Sequence, residues 1–356
     1  MAKSSAVNTL NYIRQNSSKA YQEVVPRATA SNIKEIGNIL LNDAYQPMLN
    51  EFVNNLINRI ALTRIENKSF SNPLSMFKKG SVPYGTDIQL IYENPAIAEK
   101  YEYSDAAMAK LLTITDPDTK AAYLRRNRQD LYTKTIAREG LQGAFDSPEA
   151  FDDYVSSITQ SLYSGNYIDE FKYTKDLIDG AYEEGKVITE VVSAVSDKAT
   201  AEALVEKCRA LYLKMQFPST EYNAYSRFSD STDETLITTW TDAERICVIT
   251  TADVMAKVDV QSLAAAFNME KANFMGRVVI VDKFENEEIQ AIICDESFIQ
   301  IFDNIFRFDE FYNARTMSWN EYLHAWGTWA ISPFANAVCL ATKLPDTDTD
   351  TDTEAK

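Results

Sequence analysis

Apolar residues recur at intervals of three and four along several stretches of the chain. Ile36, Ile39 and Leu40, followed by Phe52, Val53, Leu56, Ile57 and Ile60, predict two short helices with Pro47 interrupting them. A much longer helix is predicted over Asp146–Lys186, with Asp146 or Ser147 as its cap and Pro148 in the first turn. Phe151, Tyr154, Val155, Ile158 and Leu162 line one face of it, and Gly165 and Gly180 mark where it is expected to bend or end. Leu204, Cys208, Leu211 and Met215 place a further helix over Ala199–Met215. Short continuous apolar runs then take over at Ile246–Ile249, Val278–Val281, Ile289–Ile293 and Ala337–Leu340. Such runs are what strands covered on both faces require, and a helix around Val260–Phe267 falls between the first two. The fold class is α+β.

Other stretches lack these patterns. Residues 1 to 32 are rich in Ser, Asn and Ala with sparse apolar positions, which predicts an extended or partly ordered arm. From Ser69 to about Arg138 the chain is punctuated by Pro73, Pro83, Pro95 and Pro117, with strand-like character at Asp87–Tyr92 and Tyr123–Ile136. It reads as a long extended hairpin or loop with too few clustered apolar residues for a core of its own, so it is expected to pack on something else. The alternating Asp and Thr from Asp346 to Glu354 resemble a calcium loop, but Thr351 stands where that loop needs Gly and no helix follows. A disordered acidic tail is the expectation.

Composition narrows the function. The 356 residues suffice for two or three lobes, and 45% apolar residues suffice for a sizeable core. Against 35 basic residues stand 52 acidic ones, a formal charge of −17, so the net field repels phosphate backbones and anionic membranes. One His and ten Gly leave little for multi-histidine metal sites or glycine-rich phosphate cradles. Cys208, Cys247, Cys294 and Cys339 form no CxxC pair and read as reduced core residues. There is no 18-residue apolar run, and Met1–Gln15 is polar, so the protein is expected to be made in a cytoplasm and to stay there.

Candidate chemistry fails position by position. Gly80 to Gly85 has phosphate-loop spacing, yet Thr86 and Asp87 follow where Lys and Ser or Thr are needed. His324, among Tyr322, Leu323, Trp326 and Trp329, reads as a core histidine. Asp152 and Asp153 suit the dipole at the start of the long helix. One cluster stands against the acidic background: Lys120, Arg125, Arg126, Arg128, Lys134 and Arg138 lie within nineteen residues whose sole acid is Asp130. Such asymmetry points to self-association, with arginine forks pairing to carboxylates of a neighbouring copy. Arg125, Arg126 and Arg128, with Lys78 and Lys79, are the candidate subunit contacts; no catalytic, cofactor or metal site is expected.

Several segments together resemble the major capsid proteins of small short-tailed phages of the phi29 group. They are Asn72-Pro-Leu-Ser-Met-Phe-Lys-Lys-Gly80 with Val82-Pro-Tyr-Gly85, then Arg126-Asn-Arg-Gln129 and Phe151-Asp-Asp-Tyr-Val-Ser-Ser-Ile158. Leu263-Ala-Ala-Ala-Phe-Asn-Met269 and Phe334-Ala-Asn-Ala-Val338 follow in the family's order. The resemblance implies an HK97-like phage capsid fold. Its parts would be an N-terminal arm and helices over 1–65 and an extended loop over 66–140. A peripheral domain with a long spine helix would comprise 141–186 plus 313–345, an axial domain 187–312, and the acidic tail 346–356. The tail would replace the immunoglobulin-like C-terminal domain of longer members. The implied function is a head shell, icosahedral or prolate, of many copies as pentamers and hexamers around double-stranded DNA touched only non-specifically. Implied partners are a scaffolding protein, a portal or connector and head fibres, with no membrane and no cofactor. The implied location is the virion, after assembly in the bacterial host cytoplasm. The alternative is a soluble acidic phage enzyme, a hydrolase using carboxylates such as Asp282 and Asp295, or a binding protein.

Overall fold

The computed structural model describes residues 5–62, 70–98, 116–145, 147–228, 236–258 and 277–345. In chain order its helices are α1 (Ser5–Asn16), α2 (Lys19–Val24), α3 (Ile33–Leu40), α4 (Gln46–Leu62), α5 (Arg138–Ala144), α6 (Pro148–Glu183), α7 (Lys198–Lys214), α8 (Ala224–Phe228) and α9 (Ala252–Val258). The strands are β1 (Lys78–Ser81), β2 (Ile88–Glu93), β3 (Thr119–Leu124), β4 (Arg128–Ala137), β5 (Ile188–Val191) and β6 (Ile246–Thr251). After them come β7 (Arg277–Val281), β8 (Ile289–Asp295), β9 (Ile299–Asn313), β10 (Ser318–Ile331) and β11 (Ala337–Ala341). The chain divides into two compact units, one of Met1–Asn72, Arg128–Glu170 and Asp303–Gly327, the other of Pro73–Asn127, Phe171–Phe302 and Thr328–Lys356. The predicted helix at Val260–Phe267, the segment Leu263–Met269, the cap Asp146 and the tail from Asp346 lie outside the described residues.

The first unit packs helices against a sheet. Ile33, Ile36 and Leu40 of α3 and Leu49, Phe52, Val53 and Leu56 of α4 share a core with Phe145, Phe151, Ile158, Leu162, Trp319 and Leu323. Phe52, Phe145 and Phe151 form its aromatic centre, with ring centroids 5.4 to 6.3 Å apart. Within the stretch predicted as an extended or partly ordered arm, α1 and α2 are instead helices, and Ala6, Val7, Leu10, Ile13 and Tyr21 are buried in the same core. The polar residues that suggested disorder satisfy backbone groups. Arg14 donates to the carbonyls of Val25 (2.8 Å) and Gln22 (2.7 Å), and the Asn11 side chain bonds both the N–H and the C=O of Ala28.

Strand β10 runs antiparallel to β4, with Glu321 opposite Lys134 and His324 opposite Leu131. In the four-stranded sheet the order is β1-β9-β10-β4. Alternation along β10 buries Trp319, Glu321, Leu323 and Ala325, while Asn320, Tyr322, His324 and Trp326 are half-buried. Pro47, expected to interrupt a helix, stands at the second residue of α4, where its missing N–H costs nothing. Helix α6 continues through Gly165 and Gly180 to Glu183. It stops where Lys186 donates to the carbonyl of Ala181 (2.8 Å) across Gly185, whose φ of 64° suits a residue without Cβ.

The second unit is built on a mixed five-stranded sheet of order β5-β11-β8-β6-β7, in which every residue of β6, β8 and β11 is buried. Period-two alternation splits these strands between two cores. Cys247, Ile249, Ile292, Cys294 and Cys339 face Ile178, Tyr182, Phe298 and Trp329. Ile246, Val248, Ile293, Val338 and Leu340 lie with Leu204, Val205, Cys208 and Leu211 of α7 and with Val254 and Val258 of α9. Asp197 caps α7 and completes a capping box with Thr200; its bonds to Thr200, backbone first, hold the carboxyl below its usual range.

Candidate subunit-contact site

Strands β2 and β3 form a two-stranded antiparallel hairpin, Ile88 opposite Leu124 and Glu93 opposite Thr119. Its base is fixed within the second unit. Asn94 Nδ2 donates to the carbonyl of Leu236 (2.8 Å), Asn94 Oδ1 accepts from the N–H of Thr238 (3.0 Å), and the Tyr92 hydroxyl donates to the carbonyl of Thr238. The Tyr92 and Phe334 rings lie 5.8 Å apart. The strands leave apolar side chains in solvent, Ile91 65% and Tyr123 64% exposed, and Ile97 in the segment after β2 is 94% exposed. A two-stranded sheet exposing such residues has little to stabilise it alone.

The basic candidates separate. Arg125, 82% exposed, has Asp87 at 3.4 Å, itself half in solvent. The Arg126 guanidinium sits 4.8 Å from the Tyr84 ring centroid. Lys79 Nζ donates to the carbonyl of Glu296 (3.0 Å) and lies 3.5 Å from its carboxylate, and Lys78 is half-buried beside it at the start of β1. Arg128 belongs to the first unit and is 5% exposed. Its Nε donates to Asp130 (2.6 Å), its Nη2 to the Tyr132 hydroxyl and to Asn166 (2.9 Å each), and Glu170 lies 3.8 Å away. Tyr132 in turn donates to Asp169 (2.6 Å), and burial first, then that bond, push its hydroxyl pKa up. The strand parity that faces Arg128 toward α6 commits it inside the subunit.

The remaining candidates carry no chemistry. His324 is half-buried on β10, 3.9 Å from Asp309, and its ring meets Trp326 edge-on. It is a sheet-face residue and not the core histidine expected, because alternation aims Leu323 inward in its stead. Gly80, within β1, and Gly85, in the turn that follows it, both have positive φ. Asp282 pairs with Lys175 (2.6 Å). Asp295 accepts from the N–H and hydroxyl of Ser297 and lies 3.3 Å from Arg245. Among the described residues no group of His, Cys, Asp and Glu is set to hold a metal ion, and no helix is long and apolar enough to cross a membrane.

Comparison with known proteins points to one family. A family model described as Phi29-like phage major capsid protein matches residues 10–341. The major capsid protein of Bacillus phage PZA is 33% identical over 337 residues, 94% of this chain and 72% of that protein. The major capsid protein of Streptococcus phage Cp-1 is 28% identical, with 93% of each chain covered. Among solved structures, a chain from the capsid of Staphylococcus phage Andhra superposes with a TM-score of 0.63 at 14% identity, covering 79% of this chain and 88% of that one. A chain from the structure of head fiber and inner core protein of native bacteriophage P68 gives 0.58 at 13%, covering 79% and 87%.

Proposed function

Because the chain belongs to the family of phi29-like phage major capsid proteins, and is therefore a structural protein of the phage head and not an enzyme, we propose that its β2–β3 hairpin docks on a neighbouring copy and that this contact drives closure of the shell. The observation that carries the reading is the exposure of Ile91 and Tyr123 on one face of a hairpin with no core of its own, with Ile97 exposed in the segment that follows β2. Burying them on a neighbour supplies the hydrophobic driving force that the free subunit leaves unused. Arg125 and Arg126, close by in the chain, and Lys78 and Lys79 offer cations to carboxylates of that neighbour, a pairing that sets orientation more than affinity.

In this reading the β2–β3 hairpin belongs to the extended loop, the sheet of β4, β9 and β10 with α6 to a peripheral domain, and the five-stranded sheet to an axial domain. Pentamers and hexamers form with a scaffolding protein in the host cytoplasm and meet a portal and head fibres. The charge of −17 keeps the inner wall from gripping packaged DNA through many phosphate contacts. The test is the double variant Ile91→Asp with Tyr123→Asp, co-expressed with scaffolding protein and viewed by negative-stain microscopy. Expected are a native circular dichroism spectrum and no shells; normal shells refute the docking role.

A further inference from the structure

Cys247 and Cys294 lie in register on the neighbouring antiparallel strands β6 and β8. Their Sγ atoms are 3.6 Å apart, and Cys247 Sγ is 3.4 Å from the carbonyl oxygen of Cys294. Directly opposed residues of an antiparallel pair have Cα atoms about 4.5 or 5.5 Å apart, and both spacings fall in the range a disulfide spans. Cys339 lies against the same core, but its partner across the β11–β8 ladder is Ile292. Cys208 belongs to the other core, on α7. The fold singles out one pair among four thiols.

We propose that Cys247 and Cys294 are a site of disulfide modification, at which a low-molecular-weight disulfide such as oxidised glutathione converts the two thiols into a covalent rung between β6 and β8. One protein thiolate attacks a sulfur of glutathione disulfide, forms a mixed disulfide and expels a glutathione thiolate. The second protein thiolate then attacks the protein sulfur of that mixed bond and expels the other glutathione. Two protein thiols are oxidised, one external disulfide is reduced to two thiols, and both protons leave with glutathione. Both cysteines are fully buried. The hydrogen bond with Cys247, and then burial, hold the Cys294 thiol well above its ordinary range, so thiolate is scarce in the closed sheet. Reaction therefore runs through local opening of β6 from β8 and is slow. In a glutathione-reduced cytoplasm the pair stays open. The site rests on strand register alone and is independent of the docking reading.

The experiment incubates the full chain with oxidised glutathione in urea just below its unfolding transition, alkylates free thiols and digests with trypsin. Each cysteine falls in a separate peptide, Cys247 in residues 246–257 and Cys294 in residues 284–307. Expected are a linked pair of those two peptides, loss of two hydrogens in mass, two of four thiols gone, and a rise in unfolding midpoint that dithiothreitol reverses. Cys339→Ser should oxidise as the native chain does. Four titratable thiols after treatment, or links to Cys339 or Cys208 as abundant as the 247–294 link, overturn the proposal.

Discussion

Replacing Glu321 by Gln should make the protein more stable at alkaline than at mildly acidic pH, relative to the native chain. Glu321 is 1% exposed on β10, opposite Lys134 of β4, and its Oε1 has no hydrogen-bond partner. Burial first, then the charge of Glu310 on β9, push its carboxyl from 4.5 up to about 7, with Lys134 acting the other way. Glu310 is itself pushed up by burial, and the Tyr154 hydroxyl is raised to about 12 by burial and by Glu321. A folded-state value above the unfolded one means that the native state holds the extra proton between the two. The favourable contribution is complete below pH 4.5, shrinks as pH rises through about 7, and is gone above it. The span from 4.5 to about 7 corresponds to roughly 3 kcal/mol. Gln carries no charge at any pH, so the stability difference between variant and native chain should grow by about 1 to 3 kcal/mol from pH 5 to pH 8. Urea unfolding of the unassembled protein at pH 5, 6, 7 and 8 measures it. A difference that stays flat across that range refutes the account of a buried carboxyl forced to ionise.

Arg128→Met should destabilise the first unit by about 3 kcal/mol, since Asp130 and Glu170 lose the cation between them; a urea midpoint unchanged from the native chain would show that the network is dispensable. Arg125→Glu with Arg126→Glu should shift stability by no more than about 0.5 kcal/mol, because both residues lie outside the cores, yet block particle formation; normal particles by electron microscopy would remove these residues from the contact. Asn94→Ala should free the hairpin base, as two backbone groups near Thr238 lose their partners, and speed limited proteolysis between residues 94 and 118; an unaltered cleavage rate would place the anchor elsewhere.

The sequence shows most where periodicity and burial coincide. The apolar runs of β6, β8 and β11 are legible because those strands are covered on both faces, and the first half of α6 because Phe151, Tyr154, Ile158 and Leu162 share one face. The two longest strands, β9 and β10, are hard to read because their inward positions include Glu310 and Glu321, which break the apolar alternation. Helices α1 and α2 draw their stability from tertiary packing and from side chains that bond distant backbone, and short helices of weak propensity show neither in sequence. The basic cluster was visible as a cluster. Its division into a buried Arg128 and an exposed Arg125 depends on which face of β4 meets α6, a fact of register that charge counting does not contain.

A sheet of only two strands has no interior strand, so β2 and β3 each carry a row of amide groups that the hairpin leaves unpaired along its outer edge. In a free subunit those amides trade their hydrogens with water almost as fast as an unfolded peptide does. Those of β6 and β8, paired on both sides, exchange only when the whole sheet opens. On the docking proposed above, deuterium uptake along Ile88–Glu93 and Thr119–Leu124 would work as a clock for assembly, each neighbour seated on the hairpin silencing part of the fast signal with no bulky reporter attached.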